Sequence, residues 1–272
     1  MRALTVQDIS CLGKSSTTVV LPVMEALSVE TALLPTALLS TQTDGFDDIY
    51  IVEGSDWIDN IWKRFESMGV TFDGMYSGYL GSAGQVEKVR DIFSSQDGLK
   101  FVDPVLGDNG ELYSTISRDH ASEMIRLVKK ADVITPNFTE AMTLTGLEDG
   151  IRKAGQKDIH DLVTVLRSYG PERGVITSVP LVAGGYGNIA WQNDEIRIFS
   201  FEDAGASYPG SGDLFASVLF SLVLRGDSFF GSAKHATDIA SYTVMKSRSI
   251  GRERRMGIYL TAALEEIRRR ML

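Results

Sequence analysis

One cysteine, Cys11, serves the whole chain. An intramolecular disulfide is therefore impossible, and so is a metal-thiolate cluster. Histidine is nearly as scarce, with three copies. His120, His160 and His235 fall on predicted helices away from every motif described below, so none is a catalytic candidate. Long apolar runs are missing too. The longest, residues 214–224, falls well short of the roughly 20 residues that span a bilayer. The opening "MRALTVQDIS" lacks a charged segment followed by an apolar core, so no secretory signal is expected. Positive charge is in deficit: 27 Lys and Arg against 36 Asp and Glu leave a net charge of −9. That balance excludes a general nucleic-acid binder. It still permits an anionic substrate, because metal ions and local fields override net charge. Two basic stretches, "GRERRMG" (251–257) and "EEIRRRML" (265–272), read as a solvated loop and helix end. These absences leave a cytoplasmic, enzyme-sized protein with neither a membrane nor a nucleic-acid partner as the expectation.

What is present is ordinary globular material. A chain of 272 residues with 43% hydrophobic content can bury roughly 75% of its unfolded surface. Strand-like runs at 3–6, 31–40, 72–80, 99–105, 131–137 and 174–179 alternate with helical patterns at 56–69, 83–95, 118–130 and 157–170. This rhythm predicts an α/β fold whose mostly parallel sheet is covered on both faces. "GNIAWQNDEIRIFSF" (187–201) breaks the rhythm and predicts an antiparallel edge hairpin turning at Asn193-Asp194. Helices follow at 212–224, 228–248 and 258–270. No linker or repeat interrupts the chain, so residues 1–272 are expected to form a single domain.

Ligands of open parallel sheets bind beyond the carboxyl ends of the strands. The polar residues there are Asp8, Ser10, Thr41, Thr43, Ser77, Tyr79, Asp103, Asp108, Thr135, Asn137, Thr177 and Ser178. A further candidate is Gly210-Ser211-Gly212-Asp213, placed directly before an apolar helix. Two glycines allow a sharp turn and a close backbone approach, and a helix N-terminus offers N–H groups and a positive dipole to an anion. Asp213 could take a proton from a hydroxyl there, or could simply cap the helix. In "TPNFTE" (135–140), Asn137 and Glu140 share one helix face. They could order Mg²⁺ beside phosphates, or serve as a cap with an acidic first turn. "DPVLGDNGELY" (103–113) offers two acids around strong turn chemistry, either a phosphate-side lid or a plain turn. Gly13-Lys14-Ser15 imitates the tail of a P-loop, but the first glycine of that pattern would fall on Asp8, so the P-loop reading fails.

The order of these segments, DPVLGD, then TPNxxE, then ITS, then GSGD, resembles the ribokinase-like superfamily and, within it, the pyridoxal kinases. The resemblance runs over nearly the whole chain. It implies a ribokinase-like three-layer sandwich that uses ATP to phosphorylate the 5′-hydroxymethyl group of pyridoxal, pyridoxine or pyridoxamine. It assigns Asp213 as base and Gly210, Ser211 and Gly212 as the anion hole. Asn137 and Glu140 would organise Mg²⁺ and phosphates, with Asp103, Thr135 and Thr177 around the metal region, where a monovalent cation (K⁺ or Na⁺) also fits. Asp108 and Tyr113 would belong to the loop over ATP, Ser178 would lie beside Thr177, and Tyr208 and Phe215 would build part of the nucleotide pocket. Ser10, Thr43 and Tyr79 would contact the vitamer ring, with Val19 packed on it. A homodimer is implied. This chain departs from the pattern in the Ser of Gly-Ser-Gly-Asp, in Cys11-Leu12, and in the short loop after Asp108. Cys11 lies far in sequence from the anion hole and gives no support to a cysteine that traps the substrate aldehyde. Two alternatives stay open: a kinase of hydroxymethylpyrimidine or another small molecule, and a non-catalytic ligand sensor on the same fold.

Overall fold

A computed structural model of the chain describes residues 1–113, 116–147 and 152–271. Its main sheet has nine strands. In chain order these are β1 (Arg2–Ser10), β2 (Glu30–Leu39), β3 (Ile51–Glu53), β4 (Gly74–Ser77), β5 (Leu99–Val102), β8 (Val133–Ile134), β9 (Arg173–Pro180), β10 (Tyr186–Gln192) and β11 (Glu195–Phe201). They lie in the order β11-β10-β9-β8-β5-β4-β1-β2-β3. A separate small hairpin pairs β6 (Gly107–Asp108) with β7 (Glu111–Leu112).

Strands β2, β1, β4, β5, β8 and β9 run parallel, so their carboxyl ends share one edge. From β1 the chain first steps to β2 on one side and later returns to β4 on the other. The crevice between β1 and β4 is thus the switch point at which such sheets bind ligands. The side chains alternate with the period of two that a strand imposes. Leu4, Val6, Met75, Val102, Ile134 and Ile176 face one core. Ala3, Tyr76, Phe101, Val133 and Val175 face the other.

The first core is covered by α2 (Ser55–Ser67), α3 (Ala83–Ser94), α4 (Arg118–Val128), α5 (Phe138–Thr145) and α6 (Gln156–Ser168). The second is covered by α1 (Thr17–Ala26), α7 (Ser211–Leu224), α8 (Phe229–Ser249) and α9 (Leu260–Met271). The expected three layers are therefore present. The edge hairpin turns where the sequence placed it, with Gln192 opposite Glu195 and Asn193 at φ 52°. Helix α1 and strand β3 were not anticipated. Helix α1 contains "TTVVLPV", a β-branched run with Pro22 inside it. Local preference opposes a helix there, and burial of Val19, Val20, Val23 and Met24 against the second core overrides it. Among the described residues, no helix is long and apolar enough to cross a membrane.

Candidate active site

Helix α7 is apolar nearly all round and sits inside the second core. A helix so enclosed presents its N-terminus to the crevice as a fixed object. Gly210 begins it at φ 86°, in the left-handed region. A Cβ at this position would lie 2.4 Å from the Lys14 carbonyl oxygen and 3.1 Å from Val19 Cγ2. Only glycine lets this turn press so closely on the 14–19 segment. No side chain caps the helix, so the N–H groups of its first turn remain for an anion.

Asp213 stands in that first turn. Its Oδ2 accepts from the Ser16 N–H at 2.8 Å. Burial pushes its carboxyl up to about 6, Asp8 adds to the rise, and the Ser16 N–H opposes it. A carboxyl poised there can change protonation state near neutral pH, as a general base must.

Asp8 and Asp103 stand within reach of its charge, and Glu140 within reach of Asp103. Asp103, at the exit of β5, is pushed up to about 8 by burial and by the Asp213 charge. Glu140 is 3% exposed, and burial and the Asp103 charge raise its carboxyl. Asp8, at the exit of β1, is 3% exposed and is raised by burial. Its Oδ2 accepts from the Ser10 hydroxyl at 3.2 Å, and the Ser15 hydroxyl donates to Ser10 Oγ at 3.2 Å. Tyr76 reaches under this group from β4. Burial and the charges of Asp103 and Asp213 push its hydroxyl up.

The Asn137–Glu140 pair does more structural work than its spacing announced. The two close a capping box: the Glu140 N–H donates to Asn137 Oδ1 at 3.0 Å, and the Asn137 N–H donates to Glu140 Oε2 at 2.7 Å. Glu140 Oε1 also accepts from the Leu106 N–H at 3.1 Å, and Asn137 Nδ2 donates to the Gly107 carbonyl at 2.8 Å. The pair therefore ties the loop after Asp103 to α5. The resemblance places Asp103 and Thr135 around the metal region and has Glu140 help to organise Mg²⁺. Among the described residues, no three His, Cys, Asp or Glu side chains close on one point as a metal site would require. The buried Thr135 hydroxyl stands beside the Asp103 carboxyl and opposes the rise that burial imposes on it. A hard cation held by one carboxylate, waters and phosphate oxygens fits such a donor set, and Mg²⁺ binds in that way.

The donor side lies beyond β8 and β9. Thr177 donates its N–H to the Pro136 carbonyl at 2.9 Å. Ser178 is exposed and sits at φ 56°, a left-handed conformation of the kind that clusters at functional sites. Its N–H donates to Asn188 Oδ1 at 3.0 Å. The β6–β7 hairpin turns through Asn109 and Gly110, both at positive φ. The Gly110 N–H is anchored on the Thr139 hydroxyl at 2.9 Å. Asp108 and Tyr113 are exposed on this hairpin.

The remaining candidates divide. Ser10 is buried in the Asp8 group, Tyr79 is half-buried at the β4 exit, and Thr43 is exposed beyond β2. Val19 and Phe215 belong to the second core, with Val19 fully enclosed beneath Gly210. Tyr208 is 6% exposed, and its hydroxyl donates to the Arg252 carbonyl at 3.4 Å. The structure also brings in residues that carried no assigned role. Asp8 stood in the strand-exit set without an assignment. Ser16 belongs to the segment that imitates a P-loop. Arg254 comes from the basic stretch read as solvated. It grips Asp44 with a Nη1–Oδ1 bond of 2.7 Å and a Nη2–Oδ2 pair of 2.5 Å, and its Nε donates to the Ser207 carbonyl at 3.0 Å. Its charge also reaches Asp108. This guanidinium joins the loop after β2 to the strap leading into α7, facing the donor hairpin.

The sequence profile of the family described as phosphomethylpyrimidine kinase matches residues 21–257. A Bacteroides thetaiotaomicron protein described as a phosphomethylpyrimidine kinase and crystallised with pyridoxal is 31% identical. It superposes with a TM-score of 0.88 over 98% of this chain and 95% of its own. A pyridoxal kinase of Lactobacillus plantarum is 29% identical, with a TM-score of 0.91 over 98% of this chain and 96% of that one. A pyridoxal kinase of Arabidopsis thaliana is 27% identical over 71% of this chain, and the match spans 63% of the plant protein's length. A hydroxymethylpyrimidine/phosphomethylpyrimidine kinase of Staphylococcus aureus is 26% identical over 65% of this chain and 64% of its own.

Proposed function

Because this chain belongs to the phosphomethylpyrimidine kinase family, within the ribokinase-like superfamily, we propose that it transfers the γ-phosphoryl group of ATP to the 5′-hydroxymethyl group of a B6 vitamer. One observation carries the reading. A carboxyl that titrates near neutrality stands at an uncapped helix N-terminus, in the crevice where the sheet changes direction.

The chemistry follows from the parts. The acceptor hydroxyl loses its proton to Asp213 as its oxygen attacks the γ-phosphorus. The bond to the bridging oxygen breaks and ADP leaves. The amides of the first α7 turn hold the oxygens of the migrating phosphoryl group where their negative charge concentrates. Phosphoryl transfer asks for such positioning and charge stabilisation more than for covalent chemistry. Asp103, with Thr135 and the Glu140-anchored loop beside it, would hold Mg²⁺, which neutralises polyphosphate charge when bound. A monovalent cation fits the same oxygen-rich region. Asp108 and Tyr113 on the β6–β7 hairpin, with Asn137, Thr177, Ser178 and Tyr208, would line the ATP side. Ser10, Thr43 and Tyr79 would line the vitamer side.

A cytoplasmic homodimer completes the reading. Its support is exposed apolar surface at the sheet edge, where Leu38 and Tyr50, 38% and 71% exposed, share one face of the β2–β3 pair. Light scattering that finds a monomer at micromolar concentration would remove the dimer from this account.

A kinase of hydroxymethylpyrimidine is the second reading, favoured by the Staphylococcus aureus relative. The two similar structures at 31% and 29% identity, one crystallised with pyridoxal and one of a pyridoxal kinase, favour the vitamer. Measuring kcat/KM with ATP for pyridoxal, pyridoxine, pyridoxamine and hydroxymethylpyrimidine decides between them. The highest value is expected for a vitamer. A higher value for the pyrimidine would overturn the assignment.

A further inference from the structure

Strand β9 carries a bulge near its carboxyl end. Ile176 faces Ile189 and Val179 faces Gly187, so Thr177 and Ser178 together oppose the single residue Asn188 of β10. Such a bulge bends its strand and re-aims a side chain. The residues it turns here are the two assigned to the ATP side. Thr177 is tied to the segment before α5 by a bridge to Asn137 and by its N–H, which donates to the Pro136 carbonyl at 2.9 Å. Ser178 is held at φ 56°, a left-handed conformation that costs a serine free energy. A strained residue of this kind persists only where its surroundings over-determine it.

Asn188 supplies that determination. It is 5% exposed, and the period of two along β10 puts it on the face of Ala190, toward the second core. The Ser178 N–H can only donate, so the carboxamide turns Oδ1 to it, at 3.0 Å. Nδ2 is left to donate to Thr237 Oγ1 at 2.9 Å. The Thr237 hydroxyl, 2% exposed, donates in turn to the Ala233 carbonyl at 2.8 Å. Each bond fixes the direction of the next, and a buried network satisfied in this way has one arrangement. The relay ends on α8, which packs along α7. The helix pair that carries the anion-binding turn therefore also steadies the bulge on β9.

We infer that Asn188 is a positioning residue for the phosphoryl donor: anchored on Thr237, it holds Ser178 in the strained bulge that β9 presents to ATP. The inference rests on the placement of ATP beyond β8 and β9 in the reading above. It goes past that reading by giving a role to a buried residue of the edge hairpin, which acts through Ser178. Without the anchor, a serine at 178 relaxes out of the left-handed region, and the bulge no longer offers the donor one fixed shape. Binding then has to restore that shape, so donor affinity falls while the acceptor side, formed by β1, β2 and β4, is untouched.

The test measures Kd for ADP by calorimetry, and KM for ATP and for pyridoxal, in the wild type, Asn188→Ala, Ser178→Gly and the double variant. Asn188→Ala should raise Kd for ADP and KM for ATP by about tenfold, the scale of a lost hydrogen bond and the strain it restrained. KM for pyridoxal should stay within about twofold, a split that a general loss of folding does not produce. Glycine takes the left-handed backbone without an anchor. In the Ser178→Gly background, Asn188→Ala should therefore cost less than about threefold. If Asn188→Ala does not fold, Thr237→Val replaces it: it removes the anchor alone and should raise KM for ATP in the same direction, again relieved by Ser178→Gly. Equal rises in the two KM values, or equal effects with serine and with glycine at 178, overturn the role of Asn188 while leaving vitamer phosphorylation standing. A wild type that binds neither ADP nor ATP overturns the donor site and this inference together.

Discussion

Replacing Asp213 with Asn should move activity and stability in opposite directions. The carboxyl rises from 3.8 to about 6, chiefly through burial. Two units at about 1.36 kcal/mol each make close to 3 kcal/mol. Solvent reaches part of this half-buried side chain, which reduces the penalty to about 2 kcal/mol. The sign follows from linkage. A carboxyl whose pKa is raised by folding binds its proton more tightly in the folded state. It therefore destabilises the protein above about pH 6, and the penalty fades as pH falls from 6 toward 3.8. Asn removes the charge while its Oδ1 still accepts from the Ser16 N–H. At about 2–4 °C per kcal/mol for a domain near this size, Tm should rise by roughly 4–8 °C at pH 7. The gain should shrink in melts taken near pH 5. In an ADP-release assay, kcat should fall about 10²–10⁴-fold for loss of a positioned base. A variant that keeps more than a tenth of wild-type kcat, or that melts lower than wild type at pH 7, would refute the reasoning.

Three further outcomes are expected. Gly210→Ala should lose stability by about 1–3 kcal/mol in urea unfolding, because its Cβ would meet the Lys14 carbonyl from a left-handed backbone; kcat should fall with it as the anion-binding turn shifts. Asp44→Asn should raise KM for the acceptor more than KM for ATP, since it loosens the grip of Arg254 on the loop after β2; reversing the pair (Asp44→Arg with Arg254→Asp) should recover part of the loss, and equal rises in both KM values would contradict this role. Glu266 is held down to about 2 by Arg269 and Arg270. Its contribution to stability is thus present above the ordinary carboxylate pKa and vanishes as pH falls toward 2, so Glu266→Gln should lower Tm at pH 7 and leave it unchanged near pH 2.

The sequence displayed those parts of the fold and site whose cause is local. Gly-Ser-Gly-Asp is a turn and a helix start within four residues, and the chain folds it as written. The Asn193-Asp194 hairpin and the Asn137–Glu140 cap are equally local. Contacts distant in sequence were illegible. The Ser16 N–H that fixes Asp213 is 197 residues away from it, and no residue pattern announces a backbone donor. Arg254 looked like part of a solvated basic run because its partner Asp44 lies 210 residues earlier. Helix α1 was hidden because β-branched residues and Pro22 argue against it locally, and only the core beneath them decides otherwise. Asp8 was visible as a strand-exit acid, but its place beside Ser16, the residue that also holds Asp213, emerges only when the elements around it are assembled.

The central claim is that the α7 N-terminus directs a phosphoryl group onto a vitamer hydroxyl rather than onto water. Phosphorus NMR of the purified protein with ATP, Mg²⁺ and a vitamer reads this directly. One phosphomonoester on the vitamer should accumulate for each ADP formed, with no inorganic phosphate. ADP matched by inorganic phosphate, or no ADP with any vitamer, would contradict the account.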